Sequence, residues 1–233
     1  MNETKKPTFR HELKYYLSHT DYVLLQKRLR ATMQRDTHTD KDGMYFIRSL
    51  YYDDINDAAF REKLSGVDDR NKYRIRIYNL SDEMIRLECK HKEDGYISKS
   101  SIRLSRAECD ELLCGNYAFL YERPEPFARS MYIEFRTRQL LPRVIVDYWR
   151  EPFVFSYEDV RITFDTDIRS AYRSTDLFNQ KLLTYPVAVD GLNTILEVKF
   201  NRILPTHIRM LLQVENPLRS AASKYVLCRK FEL

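Results

Sequence analysis

The sequence predicts an α+β fold in which roughly eight or more antiparallel strands curl into a closed or nearly closed barrel, with helices outside it. Three observations lead there. Many segments alternate apolar and charged residues at the two-residue period of a strand. Short turn signals separate several of them, as in a meander of hairpins. The charged positions are mostly arginine and lysine, rather than the mixture with threonine, serine and glutamine usual on a solvated sheet face.

Residues 8–17 form the first strand, with Phe9, His11, Leu13, Tyr15 and Leu17 opposite Arg10, Glu12, Lys14 and Tyr16. Residues 20–33 read as an amphipathic helix opened by Thr20 or Asp21. A strand over 44–52 and a short helix over 55–64, closed near Gly66, follow. Strands come next at 70–79, 84–92 and 96–104, the first two separated by LSDE at 80–83. Ser105 and Glu108 form a capping box for a helix that ends at Gly115. A helix over 125–138 and strands at 142–150, 159–170, 183–189 and 194–200 complete the barrel. Thr206 starts a helix, and the rest of the chain is expected to be helical with a break near Asn216-Pro217. The domain is expected to span 8–233, with 1–7 as a tail.

The 233 residues are 43% hydrophobic, enough for a substantial core, and the net charge of +5 is mild, so charge placement matters more than its sum. Cys89, Cys109, Cys114 and Cys228 lack zinc-ligand spacing and read as free cytosolic thiols. The N-terminus has no secretory h-region and no apolar run is long enough to span a bilayer, so a cytoplasmic protein without a membrane segment is expected. The five histidines are scattered, which argues against a histidine metal site or triad. No GxxxxGK[ST] or GxGxxG occurs, so no P-loop or Rossmann site is expected. No outward platform of interleaved aromatic and basic residues suggests nucleic-acid binding.

The charged faces define the functional question. In KYRIRIYN, Tyr73, Ile75 and Ile77 share one face, and Arg70, Lys72, Arg74 and Arg76 share the other. The same alternation aligns Arg86, Glu88, Lys90 and Lys92; Lys99 and Arg103; Arg161, Asp165, Asp167 and Arg169; and Glu197 and Lys199. Two cations ~6 Å apart at an effective dielectric near 20 repel by about 3 kcal/mol. Many facing inward would exceed a domain's net stability of about 5–15 kcal/mol. Such an interior needs water, counter-ions or a polyanion. A chain of phosphates suits the arginine fork, and a carboxylate or two among the cations suits a divalent metal bridging phosphate oxygens.

FRHELKYYLS, RSLYYDD, KYRIRIYN, LECKHKEDGYISKSS, VIVDYWREPF, VRITFDTDIRSA, TILEVKFN and ASKY, in this order over about residues 8–226, resemble the VTC (vacuolar transporter chaperone) domain. That domain is the polyphosphate polymerase branch of the triphosphate tunnel metalloenzyme (CYTH) superfamily. The resemblance implies an eight-stranded antiparallel tunnel barrel with peripheral helices. It implies a transferase that moves the ATP γ-phosphate to a growing polyphosphate chain with Mn²⁺ or Mg²⁺, with ATP and polyphosphate or pyrophosphate as ligands. It implies catalytic roles for Lys14, Arg74, Arg76, Lys90, Arg161 and Glu197. Phosphate binding is expected of Arg10, Lys99, Arg150, Lys199, Ser223 and Lys224, and metal binding of Glu197 and Glu12. Glu88 is expected to orient lysines rather than bind metal.

One departure is informative. Hydrolytic members of the superfamily usually carry ExExK on the first strand, whereas this chain has Arg10-His11-Glu12-Leu13-Lys14. One carboxylate fewer should hold metal less tightly and activate water less well, which favours synthesis. The eukaryotic polymerase also has an SPX domain and membrane helices, so coupling to translocation is not expected of this polypeptide. Two other readings stay open at this point: a triphosphatase of the same fold, and a polyphosphate-binding module without turnover.

Overall fold

The computed structural model describes residues 11–94, 96–189, 192, 194–214, 218–219 and 222–231. One sheet of eleven strands dominates. Its long strands are β1 (His11–Leu17), β3 (Tyr45–Asp53), β4 (Arg70–Tyr78), β5 (Ser81–Glu93), β6 (Tyr96–Leu104), β7 (Leu141–Phe155), β8 (Val160–Tyr172) and β10 (Thr194–Phe200). Three two-residue stubs, β2 (Gln34–Arg35), β9 (Tyr185–Pro186) and β11 (Leu218–Arg219), pair onto them. The order is β11-β1-β10-β8-β7-β3-β4-β5-β6, and neighbours along it pair antiparallel. The long strands curl around a charged interior, as the alternation requires. Among the described residues no backbone ladder joins β6 to β1 or β11, so the sheet curls without closing by hydrogen bonds.

The helices cover the outer apolar faces. α1 (His19–Thr32) and α6 (Thr206–Leu211) pack on one flank, where Phe153, Ile162, Phe164, Leu196 and Val198 are buried with Leu25, Leu29 and Ile208. α3 (Arg106–Leu113), α4 (Phe119–Glu122) and α5 (Pro126–Arg138) cover the other, where Tyr73, Ile75, Ile77, Leu87 and Ile102 meet Cys109, Leu112, Met131 and Phe135. A third cluster sits on inward positions: Tyr16, Ile47, Tyr51, Val146, Tyr148 and Ile195 pack with Tyr225 and Val226 of α7 (Lys224–Phe231) and Phe60 of α2 (Ala58–Leu64).

Several local expectations need correction. α1 is capped by Ser18, whose hydroxyl accepts from the Asp21 N–H at 3.1 Å, rather than by Thr20 or Asp21. The hairpin turn is Asn79-Leu80, both at positive φ, and β5 already starts at Ser81, so LSDE is mostly strand. Asn79 suits the first position of such a two-residue turn. The strand expected over 183–189 reduces to β9. The segment after α6 is not continuously helical: β11 intervenes before α7, and the break near Asn216-Pro217 falls outside the described residues. The capping box at Ser105 and Glu108 is present as expected.

The alternation also slips once. Asp147 pairs with Arg169 but Trp149 pairs with Thr166, so Tyr148 faces an extra residue of β8. Asp167 takes φ 48° at this bulge. A bulge flips every later side chain to the other face. Asp167 and Arg169 therefore do not join Arg161 and Asp165 inside; Arg169 lies opposite Asp147 and bonds Thr184.

Candidate active site

The inward face surrounds a cavity of about 750 Å³. Among the described residues, thirteen lysine and arginine side chains line it against two glutamates, Glu12 and Glu197. Chain alternation explains how they meet. Arg70, Lys72, Arg74 and Arg76 come from successive inward positions of β4, and Lys90 and Lys92 from β5. Glu12 and Lys14 come from β1, directly opposite Lys199 and Glu197 of β10. Lys99, Arg150 and Arg161 come from β6, β7 and β8.

Carboxylates organise these cations in three groups. Glu88 is fully enclosed, and one of its oxygens accepts from Arg74 at 2.7 Å and lies 3.9 Å from Arg76. Lys99 sits against its other oxygen. Burial pushes the Glu88 carboxyl upward, but Arg74, Arg76 and Lys99 outweigh it and hold its pKa at about 2. Glu88 thus meets two arginines and one lysine, rather than the lysines alone expected from the sequence, and it is not among the residues lining the cavity. Phenols complete the arginine fork: Arg74 donates to Tyr51 at 2.9 Å and Arg76 to Tyr148 at 3.1 Å.

The second group is Glu12 and Glu197, which share Lys14 at 3.0 and 3.6 Å. Lys90 reaches the other oxygen of Glu12 at 3.0 Å, and Lys199 the other oxygen of Glu197 at 2.5 Å. Burial works against Glu197, yet Lys14, Lys199, Arg150 and Lys224 hold its carboxyl well below the usual range. Lys14 is raised in turn, since Glu197 and Glu12 outweigh its burial. The third group is the fully buried Asp165, which accepts two bonds from Arg150 at 2.6 and 2.7 Å and is met by Lys224.

The structure therefore brings together Glu12, Lys14, Arg74, Arg76, Lys90, Lys99, Arg150, Arg161, Glu197, Lys199, Ser223 and Lys224 around one cavity. Arg161 is the most peripheral of the arginines just named, bonded to Asp36 at 2.9 Å and Tyr45 at 3.2 Å. Arg10 lies outside the described residues. The cavity also holds Lys63, Arg70, Lys72 and Lys92, which the candidate set omits. Three of these were visible in the alternation of β4 and β5. Lys63 arrives from α2, and strand periodicity carries no signal for it.

The donor set suits a divalent cation that arrives with phosphate. Two carboxylates face the cavity, their charge now met by lysine ammonium groups that a metal can replace. No third acidic, histidine or cysteine ligand completes a cage among the described residues. Mg²⁺-like ions are commonly held by one or two carboxylates plus substrate phosphates and water. Repulsion among the surplus cations leaves the empty cavity unfavourable, and a polyanion relieves it.

The VTC domain family matches residues 9–232. Among solved structures, a Hippeastrum protein described as a candidate adenylyl cyclase with a dominant triphosphatase activity is 15% identical, with a TM-score of 0.56, covering 95% of this chain and 96% of its own. The PH1819 protein from Pyrococcus horikoshii OT3 is 15% identical with a TM-score of 0.50, covering 96% and 99%. A candidate adenylate cyclase from Bacillus halodurans is 14% identical with a TM-score of 0.50, covering 87% and 85%. These likenesses establish the fold. No curated protein matches the chain, and no helix among the described residues is long and apolar enough to cross a membrane.

Proposed function

The chain belongs to the VTC domain family of the triphosphate tunnel superfamily, and from that premise we propose that it is a metal-dependent polyphosphate polymerase that transfers the γ-phosphate of ATP to a growing chain. The observation that carries this reading is the pairing of Glu12 and Glu197, each in ion pairs with lysines, inside a cavity that thirteen lysine and arginine side chains line among the described residues.

In this reading Arg74 and Arg76 clamp non-bridging oxygens of the triphosphate, held in place by Glu88, Tyr51 and Tyr148. Arginine suits that task because its planar fork matches phosphate geometry. Lys14, Lys90, Lys99, Lys199 and Lys224 supply charge along the path of the chain, and Arg150 and Arg161 bind its flanking phosphates. Glu197 and Glu12 hold Mn²⁺ or Mg²⁺, which when bound neutralises charge on the transferred phosphoryl group. The terminal oxygen of the polyphosphate attacks, ADP leaves, and the fixed cations stabilise the charge that develops. Growth beyond the cavity keeps the acceptor in place while excluding water by occupancy.

Polyphosphate gels of the pure protein with ATP and Mn²⁺ test this. Chain growth with ADP release, lost in Glu197→Ala, is expected. Orthophosphate release without chains would assign hydrolysis instead, and tripolyphosphate binding without turnover would assign a binding module.

A further inference from the structure

The cavity lysines Lys14, Lys90, Lys99, Lys199 and Lys224 each touch a carboxylate. Lys72 does not. Its Nζ lies 2.8 Å from the Oγ of Ser223, while Lys14, Lys90, Lys63 and Arg70 surround it as cations. Burial and that like charge push its ammonium well below the ordinary lysine range. A neutral lysine amine accepts a proton from a hydroxyl, and serine beside such a base is an activated nucleophile. Ser223 is held firmly: it precedes α7, its carbonyl accepts from Leu227 at 2.9 Å, and the neighbouring Tyr225 hydroxyl donates to buried Asp53 at 2.5 Å. Ser223 also lines the phosphate cavity.

We propose that Ser223 is a phosphoryl acceptor, with Lys72 as its general base, and that the resulting phosphoserine is the covalent starting point of a phosphate chain. This rests on the polymerase reading for its donor, a nucleoside triphosphate. In the step, Ser223 Oγ forms a bond to the γ-phosphorus and the bond from that phosphorus to the β–γ bridging oxygen breaks. The nucleoside diphosphate leaves with the electron pair, and the Oγ proton passes to Lys72 Nζ. Transfer turns an awkward arrangement into a favourable one: phosphoserine carries a charge of about −1.5 to −2 near neutral pH, placed beside a newly formed ammonium and four further cations. Its terminal oxygen is then the acceptor for the next phosphoryl group, which answers how a chain begins when no polyphosphate is present.

The test uses the full chain with γ-labelled ATP and Mn²⁺, followed by phosphopeptide mapping of folded protein confirmed by a cooperative melt. Label is expected on Ser223, retained by Ser223→Thr, absent in Ser223→Ala, and lengthened by a chase of unlabelled ATP. Lys72→Met and Lys72→Arg are both expected to slow labelling by about 10²-fold or more, the usual contribution of a general base. Wild-type labelling rates in Lys72→Arg would overturn the base role, because arginine keeps the charge but does not deprotonate. Polyphosphate formation without label at Ser223 would sink this inference and leave the polymerase reading standing. Label without polymer would leave Ser223 a phosphoryl acceptor but overturn its role as the start of a chain together with the polymerase reading, and neither product would remove both.

Discussion

The two sides of the cavity handle their carboxylates differently. On the β4–β6 side, Glu88 is saturated: two nitrogens of Arg74 share one oxygen and Lys99 takes the other. On the β1–β10 side, Glu12 and Glu197 are met by lysines, Lys14 spanning both while Lys90 and Lys199 each meet one. A guanidinium is a rigid fork that holds its partner in one geometry, whereas an ammonium is a mobile point charge on a flexible stem. In the proposed function the first arrangement preorganises a phosphate clamp, and the second leaves two carboxylates whose counter-ions can step aside for a metal. On that reading residue choice, more than position, divides the cavity into a fixed anion-binding wall and an exchangeable cation-binding wall.

The sharpest way to break that division is Glu197→Gln, which keeps size and removes the ligand charge. A loss of phosphoryl transfer of about 10³-fold is expected in Mn²⁺-dependent single-turnover assays, equivalent to roughly 4 kcal/mol. A matching loss in Glu88→Gln would erase the distinction between the two walls. Glu88→Gln is instead expected to act first on the fold, costing about 3 kcal/mol because it strands half-buried Arg74 and buried Arg76, as read by urea unfolding. Tripolyphosphate should recover part of that loss, since it binds only the native state.

Acid sharpens the same point. The Glu88 carboxyl sits at about pKa 2 in the fold against an ordinary value of 4.5, pulled down by Arg74, Arg76 and Lys99 against the opposing effect of burial. Its stabilisation is therefore complete above about pH 4.5 and disappears as pH falls toward 2. Between those limits wild-type stability should fall more steeply than that of Glu88→Gln, as measured by denaturant midpoints at each pH.

Smaller effects grade the comparison further. Arg74→Lys, on the rigid wall, is expected to lower kcat/KM by about 10–100-fold, since one bidentate contact is worth a few kcal/mol at most. Lys199→Arg, on the mobile wall, should change it by less than about 10-fold. Asp110→Asn sets the floor: its exposed helical pair with Arg106 spans 3.0 Å, and losing it should move stability by no more than about 0.5 kcal/mol.

Much of this site was legible because a strand reports its own facing. Once Tyr73, Ile75 and Ile77 were assigned outward, Arg74 and Arg76 had to point in, and the same parity aligned Glu88 with Lys90 and Glu197 with Lys199. Parity fails where the ladder slips. The bulge at Asp167 reverses the assignment of Arg169, and no local composition marks it, since Asp167 adopts a left-handed φ that asparagine or glycine would have advertised better. Helical contributors were equally hidden: Lys63 enters the cavity from α2 through tertiary packing alone. The pairing of Lys72 with Ser223 joins residues 151 positions apart, a separation that strand periodicity does not address. The stretch after α6 differs because β11 pairs with β1, a long-range contact that local sequence does not report.

The unclosed ladder has a consequence of its own. Lys90 of β5 and Glu12 of β1, each one strand in from an end of the curled sheet, meet across the interior at 3.0 Å, so an ion pair links two arms that no main-chain ladder joins among the described residues. A polyanion that recruits Lys90 must take it from Glu12. In the proposed polymerase, a phosphate chain that draws Lys90 away would therefore also loosen the contact between the two arms of the sheet around it.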